Sequence, residues 1–331
     1  MKSVFFRPAA SIKACCFVLL SAMSGQTVAF AADYPTRQVS IIVPYAAGGT
    51  ADILGRLVAE ELRGKLSQTF VVENKGGASG VIGATAVARA PSDGYTLLFT
   101  AGGPLTIGPN LGKNPIYHAA SDFTPIGLVS EIPSLLVVAP HSPIKTVSDL
   151  IAAAKAKPGE LKFASPGVGT SVHLLAEFFR LQANIDVVHV PYRGGAPAMN
   201  DLMGGQVDYM FENMPQLLPQ VKGGTLRALA VTAASRQPSA PDTPTLTEAG
   251  IKGVEVGTWY GLLGPKDLPA PVTAALTKLF EEIVKSESFR KRLSEFGANV
   301  DGRTGAEFAK FIAADDARWK ETIARAKIEP Q

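Results

Sequence analysis

Two short stretches of this 331-residue chain carry residue types suited to holding an anion. Tyr45-Ala46-Ala47-Gly48-Gly49-Thr50-Ala51-Asp52 follows the apolar, β-branched run Val39-Ser40-Ile41-Ile42-Val43. Ile53, Leu54, Leu57, Val58 and Leu62 then recur at helical spacing. Strand, glycine turn and helix put unpaired backbone N–H groups and the positive end of a helix dipole at one spot. Such a spot suits a phosphate or a carboxylate. Val190-Pro191-Tyr192-Arg193-Gly194-Gly195-Ala196 has the same form as the stretch starting at Val43, which suggests two loops that face each other. Ser165, Gly167, Gly169 and Thr170 in the loop after a further strand offer more donors. Donors carrying little charge fit a carboxylate that must be held and then released. Taken singly, each glycine reads as a plain turn between strand and helix.

Three charged or titratable residues near these loops have two readings each. Asp52 is either a first-turn acid complementing its helix dipole or a cleft carboxylate that pairs with a ligand ammonium or orders water. Arg193 is either a cleft cation for a distal carboxylate or a solvated turn residue. His173 reads first as a packing or capping residue on a helix face and second as a base.

Other chemistry is missing from the pattern. There is no G-x-G-x-x-G, and neither Gly64-Lys65 nor Gly112-Lys113 belongs to a Walker A motif. Gly77-Ala78-Ser79-Gly80-Val81 falls one glycine short of a G-x-S-x-G nucleophile elbow. His118, His141, His173 and His189 have no metal-ligand spacing. No cofactor, metal or catalytic residue is therefore assigned, although catalytic groups can converge from distant positions.

The elements that must position these loops alternate. Thr69–Asn74 reads as a strand, Val81–Arg89 as a helix and Tyr95–Thr100 as a strand, which implies βαβ units and a mostly parallel sheet. Phe123–Pro140 is a long extended stretch that Pro133 interrupts, fitting a strand that leaves one sheet for another. The unit then repeats, with a helix over Val147–Ala156 and a strand over Leu161–Ser165. Ser171–Gln182 is expected to be a helix whose apolar face is Leu174, Leu175, Phe178 and Leu181. Val207–Phe211 and Leu226–Thr232 continue it, and Val254–Leu263 is a second crossing. Pro271–Ala326 reads as helical, with Leu276, Leu279, Phe280 and Ile283 as one stripe. Two crossings describe a discontinuous two-lobed protein with its ligand between the lobes.

Composition narrows the partners. Hydrophobic residues make up 46% and charged ones 18%, as in a globular protein. Lys2, Arg7 and Lys13, the apolar run Cys15–Met23 and the small-x-small Ala29-Phe30-Ala31 together read as a secretory signal cleaved near Ala31. Without the three leader cations, the 32 basic residues become 29 against 29 acidic ones. A neutral chain argues against nucleic acid as partner. Both cysteines, Cys15 and Cys16, leave with the leader, so no disulfide or thiolate site remains.

Several motifs, in order along the whole mature chain, resemble one family. They are Tyr34-Pro35, Val43-Pro44-Tyr45 through Gly48-Gly49 and Asp52, Val72-Glu73-Asn74-Lys75-Gly76-Gly77-Ala78, Asp93-Gly94-Tyr95-Thr96 and Asp122-Phe123-Thr124-Pro125-Ile126. Ser165-Pro166-Gly167-Val168-Gly169-Thr170 with His173-Leu174, and Pro191-Tyr192-Arg193-Gly194-Gly195, complete the set. The chain resembles the Bug-type extracytoplasmic solute receptors, the substrate-binding proteins of tripartite tricarboxylate transporters. That resemblance implies an α/β, two-lobed periplasmic-binding-protein fold (Venus-flytrap, type II-like), with two βα sheets joined by two crossing strands. It implies a leader at 1-31, lobe 1 at 32-130 plus 255-331, and lobe 2 at 131-254. It also implies a monomer in the periplasm that delivers a small organic solute (a di- or tricarboxylate, an aromatic carboxylate or an amino acid) to membrane transporter subunits.

By the same resemblance, the loop Tyr45–Asp52, Ala47 included, holds one ligand carboxylate largely through backbone amides and ordered water. Ser165–Thr170 and Tyr192–Gly195 face it, and Asn213 falls at the cleft wall. Two departures from the family pattern, Ser79 for a glycine and Gly102-Gly103-Pro104 where the pocket can be lined, bear on which ligand is bound. The alternatives are an exported enzyme with Asp52 or His173 as base, and a receptor that signals to a membrane sensor.

Overall fold

The computed structural model describes Met1, Ser3 and residues 34–112, 115–295 and 297–326. Apart from Met1 and Ser3, the expected leader lies outside the described residues. Tertiary contacts gather Pro35–Gln331 into one compact unit.

The first half of the chain follows its hydrophobic pattern. β1 (Val39–Val43), β2 (Phe70–Asn74) and β3 (Thr96–Ala101) are short apolar strands joined by α1 (Thr50–Leu66) and α2 (Val81–Ala88). β1 pairs in parallel with both β2 and β3, as strands joined through a helix do. A π-helical turn at Gly103–Ile107 runs into the short α3 (Gly108–Leu111). β4 (Phe123–Ile132) remains in this first sheet, and β5 (Ser134–Val138) belongs to a second. The break falls at Pro133, which has no N–H to give a ladder.

The second sheet repeats the plan. α4 (Val147–Ala156), β6 (Lys162–Ser165), α5 (Ser171–Ala183), β7 (Val188–Pro191), α6 (Gly195–Met203), β8 (Tyr209–Asn213), α7 (Met214–Lys222) and β9 (Arg227–Val231) follow in turn. β10 (Thr258–Pro265) then returns to the first sheet, and α8 (Ala270–Lys285), α9 (Glu287–Glu295) and α10 (Gly305–Ala326) close the chain. The strand orders are β2-β1-β3-β10-β4 and β7-β6-β8-β5-β9.

Three expectations need correcting. The sheets are mixed, not mostly parallel: β10 runs antiparallel to β3 and β4, and β5 antiparallel to β8 and β9. Strands that cross between sheets enter from the opposite end, so they cannot run with their βα neighbours. The buried face of α5 is Val172, Leu175, Ala176, Phe179 and Ala183, while Leu181 is 45% exposed. Leu174 points the other way, into a cluster with Trp319 and Ile323 of α10. The C-terminal region is also interrupted: residues 297–304 are not helical, and Thr304 bridges to Gly127 of β4.

Each sheet has its own core. Phe163, Phe179, Tyr209 and Phe211 lie in one, and Leu98, Leu128, Trp259 and Phe308 in the other. The crossings are stitched together beside Pro133. Thr232 Oγ1 accepts from Ser134 N (2.9 Å) and donates to the carbonyl of Val256 (3.0 Å).

Candidate functional site

Four helices begin around one cavity. α1 starts after Gly49, α5 after Thr170, α6 after Gly194 and α7 after Asn213, and residues at all four starts line it. α1 follows β1, α5 follows β6, α6 follows β7 and α7 follows β8, so the cavity lies beyond the carboxyl ends of strands from both sheets. Gly49, Gly194 and Asn213 give their helices no side-chain cap. The first-turn N–H groups of α1 and α6 are therefore open to a ligand, whereas in α7 Met214 N already donates to the carbonyl of Pro133 and Pro215 has no N–H. Thr170 does cap its helix, through a hydroxyl that accepts from His173 N.

The inner cavity measures ≈ 50 Å³ and adjoins an outer one of ≈ 540 Å³, the two sharing Tyr45, Ala46, Pro166 and Gly194. The two glycine turns do face each other: a Cβ on Gly194 would stand 3.2 Å from that of Ala46. Seven of the residues singled out in the sequence line the inner wall: Tyr45, Gly49, Thr50, Thr170, Gly194, Gly195 and Asn213. Gly167, Tyr192 and Arg193 line the outer cavity.

The remaining sequence candidates line neither cavity. Asp52, 5% exposed, is occupied with its own loop. Its Oδ2 accepts from Gly48 N (3.0 Å), its Oδ1 from Asn74 Nδ2 (3.0 Å), and Arg56 stands 2.9 Å from Oδ1. Burial would raise its pKa, but these hydrogen bonds and the Arg56 charge outweigh it and hold the carboxyl below its ordinary value. A cleft carboxylate waiting for a ligand ammonium does not describe it. Ala47 and Gly48 are exposed on the outer side of the turn. Gly102 packs under Trp259, whose Nε1 would stand 2.4 Å from an added Cβ, and Ala101 takes the lining position instead.

The histidine-bearing face is also a support. His173 Nδ1 accepts from Gly169 N (3.2 Å), and Ser165 Oγ lies 2.6 Å from His189 Nε2. The two imidazoles stack at 4.2 Å, with Phe163 against His189 at 4.7 Å. Burial pushes both down to about 4, so both are neutral at neutral pH. Ser165 Oγ also accepts from Gly167 N (3.2 Å). Ser165, Gly169 and His173 thus shape the 165–170 loop from beneath.

The family model described as "Tripartite tricarboxylate transporter family receptor" matches residues 54–328. The chain belongs to that family. Among the receptor's relatives, Protein BugT of Bordetella pertussis is 35% identical over 299 residues, covering 89% of this chain and 92% of BugT. The solved structure "R. palustris Rpa4515 with adipate" is 35% identical and superposes with a TM-score of 0.88 over 90% of this chain and all of that one. MatC from Rhodopseudomonas palustris with bound malate is 32% identical, with a TM-score of 0.83 over 88% of this chain and 100% of the other.

Several lining residues of this receptor escaped sequence reasoning. Glu212 and Gln216 flank Asn213, and Thr258 and Tyr260 come from β10. Glu212-Asn213-Met214-Pro215 was a legible signal, since a proline at the start of a helix directly after a strand marks a further turn of the same kind. Glu212 is 3% exposed, and burial raises its pKa to about 7 against the hydrogen bonds from Asn213. Burial also pushes the hydroxyls of Tyr45 and Tyr260 well up, so both stay protonated. Asn213 Nδ2 donates to Tyr260 Oη (2.8 Å), a bond between the two sheets. Ser79, in the segment after β2, donates its hydroxyl to the carbonyl of Val168 in the loop after β6. Ser79 itself adopts φ +53, the left-handed region that suits the glycine expected there.

Proposed function

We propose that this receptor captures a carboxylate-bearing organic solute between its two sheets and presents it to membrane transporter subunits. The observation that carries this reading is the convergence of four helix N-termini, three without side-chain caps, on one cavity. Open first-turn N–H groups on α1 and α6, together with four dipole ends, favour a small anion. The inner cavity takes the carboxylate head, and the outer one, within the usual range for small-molecule sites, takes the remainder. The solved relatives that hold adipate and malate support a small organic acid.

The two sheets act as lobes, residues 32-130 with 255-331 and residues 131-254, turning near Pro133 and Val256. Ligand contacts to both lobes favour the closed arrangement. Residues 1-31 direct export to the periplasm, where the receptor works as a monomer. The residues fit binding without turnover: Asp52 is held by its own loop, and both buried histidines lie off the cavity.

Thermal melting against a panel of carboxylates, malate and adipate included, tests the reading. At about 100 times Kd a matched ligand adds about 2.7 kcal/mol. For a chain of this size that is roughly 4–5 °C in Tm. Binding by no member of the panel refutes the carboxylate; recovery of a bound member chemically altered refutes a receptor without turnover.

A further inference from the structure

The inner cavity sets one acid among four positive helix ends. Glu212 Oε1 accepts from Asn213 N (2.8 Å) and Asn213 Nδ2 (3.1 Å). Its other oxygen, Oε2, accepts no hydrogen bond among the described residues and faces the cavity wall at Gly195, where an added Cβ would stand 2.4 Å away. Gln216 Nε2 and Thr50 Oγ1, both buried on the same cavity wall, likewise find no partner among the described residues. Two donors on Oε1 and a helix beginning two residues on favour the ionised carboxylate.

Among the described residues, no cation lines the inner cavity or pairs with that charge. The groups facing Glu212 are Tyr45 after β1, Tyr260 of β10, Asn213 and Gln216 at the start of α7, and Gly195 of α6. The tyrosines alone among them titrate, and burial keeps both protonated. Arg193 lines the outer cavity but not the inner one. Buried charges are normally paired. A cavity of ≈ 50 Å³ brings any ligand head close to Glu212, where a second bare carboxylate meets repulsion.

We propose that Glu212 selects the ligand class, its Oε2 accepting from a protonated amine of the ligand while a ligand carboxylate lies on the helix N-termini, so that amino-carboxylates are preferred to unaminated dicarboxylates. This rests on the carboxylate reading above. It leaves the rest of the ligand to the outer cavity and Arg193.

The test compares two series, succinate, malate and aspartate, and glutarate, 2-hydroxyglutarate and glutamate, by titration calorimetry at about pH 8, above the Glu212 midpoint of about 7. The aminated member of at least one series is expected to bind about tenfold or more tighter than its unaminated partners. In Glu212→Gln, whose amide oxygen can keep both Asn213 bonds, that advantage is expected to shrink below about threefold. Should that variant fail to fold, the wild-type pH profile decides. Below the midpoint of about 7, aminated-ligand affinity is expected to fall about tenfold per unit while that of diacids rises. Diacids binding as tightly as their aminated partners, or an advantage unchanged in Glu212→Gln, overturns the inference and leaves the carboxylate reading standing. Binding by none of the six overturns this inference, and the carboxylate reading falls with it only where the wider panel, adipate included, also gives no binding.

Discussion

Gly195→Ala tests the cavity most directly. The new Cβ would stand 2.4 Å from Glu212 Oε2 and 2.5 and 2.6 Å from the two amide atoms of Gln216. Non-bonded heavy atoms settle near 3.5 Å, so about 1 Å must be recovered. Both neighbours are confined, at 3% and 7% exposure. Overpacking of this kind costs about 1–3 kcal/mol. Gly195 is not among the positive-φ glycines, so alanine adds no backbone strain and slightly favours the helix. The cost falls on the two side chains that line the cavity, and affinity for the best-binding carboxylate is expected to drop about 10- to 100-fold. Titration calorimetry measures this, with thermal melts reporting on stability. Gly48→Ala is the contrast. Its φ of +81 makes alanine strained, yet no atom lies within 4 Å of the new Cβ and the residue lines neither cavity. It is expected to cost about 1 kcal/mol of stability. A Gly195→Ala variant that binds within about twofold of wild type refutes the placement of the ligand against α6.

Acid should destabilise the receptor through its histidines and be partly opposed by Glu212. An unfolded chain protonates each histidine near 6.5, whereas His173 and His189 resist until about 4, so their stabilisation is lost as pH falls through that window. Glu212 has the opposite sign: held at about 7 against an ordinary 4.5, it takes up a proton on folding, and stability rises as pH falls through 7 to 4.5. Urea midpoints measured across this range should therefore decline more steeply in Glu212→Gln than in wild type, and equal slopes would contradict the assignment. Asp52→Asn gives the loop an amide where three donors converge on a carboxylate. A loss of about 1–3 kcal/mol in urea unfolding is expected, and a change below about 0.5 kcal/mol would show that the brace is unimportant.

Much of this fold was legible because its signals are local. Periodicity marked α1 and α8, the break at Pro133 marked the passage between sheets, and two Pro-Tyr glycine turns marked β1 and β7. A strand's end, a glycine turn and a helix's start together predict free N–H groups with no knowledge of the rest of the chain. The direction of the crossing strands was not legible, because it depends on which sheet each one joins. Nor was the burial of α5, whose Leu174 answers to α10 and not to its own sheet.

The site divides in the same way. That Tyr45–Thr50 and Gly194-Gly195 offer backbone donors could be read from the residues alone, because such donors follow from turn and helix. It took the packing of distant elements to bring four helix starts to one cavity, to turn Asp52 back on Gly48 and Asn74, and to set Glu212 facing that cavity with no cation beside it among the described residues. A side chain's role depends on what stands opposite it, and here the opposing groups are often far away in sequence.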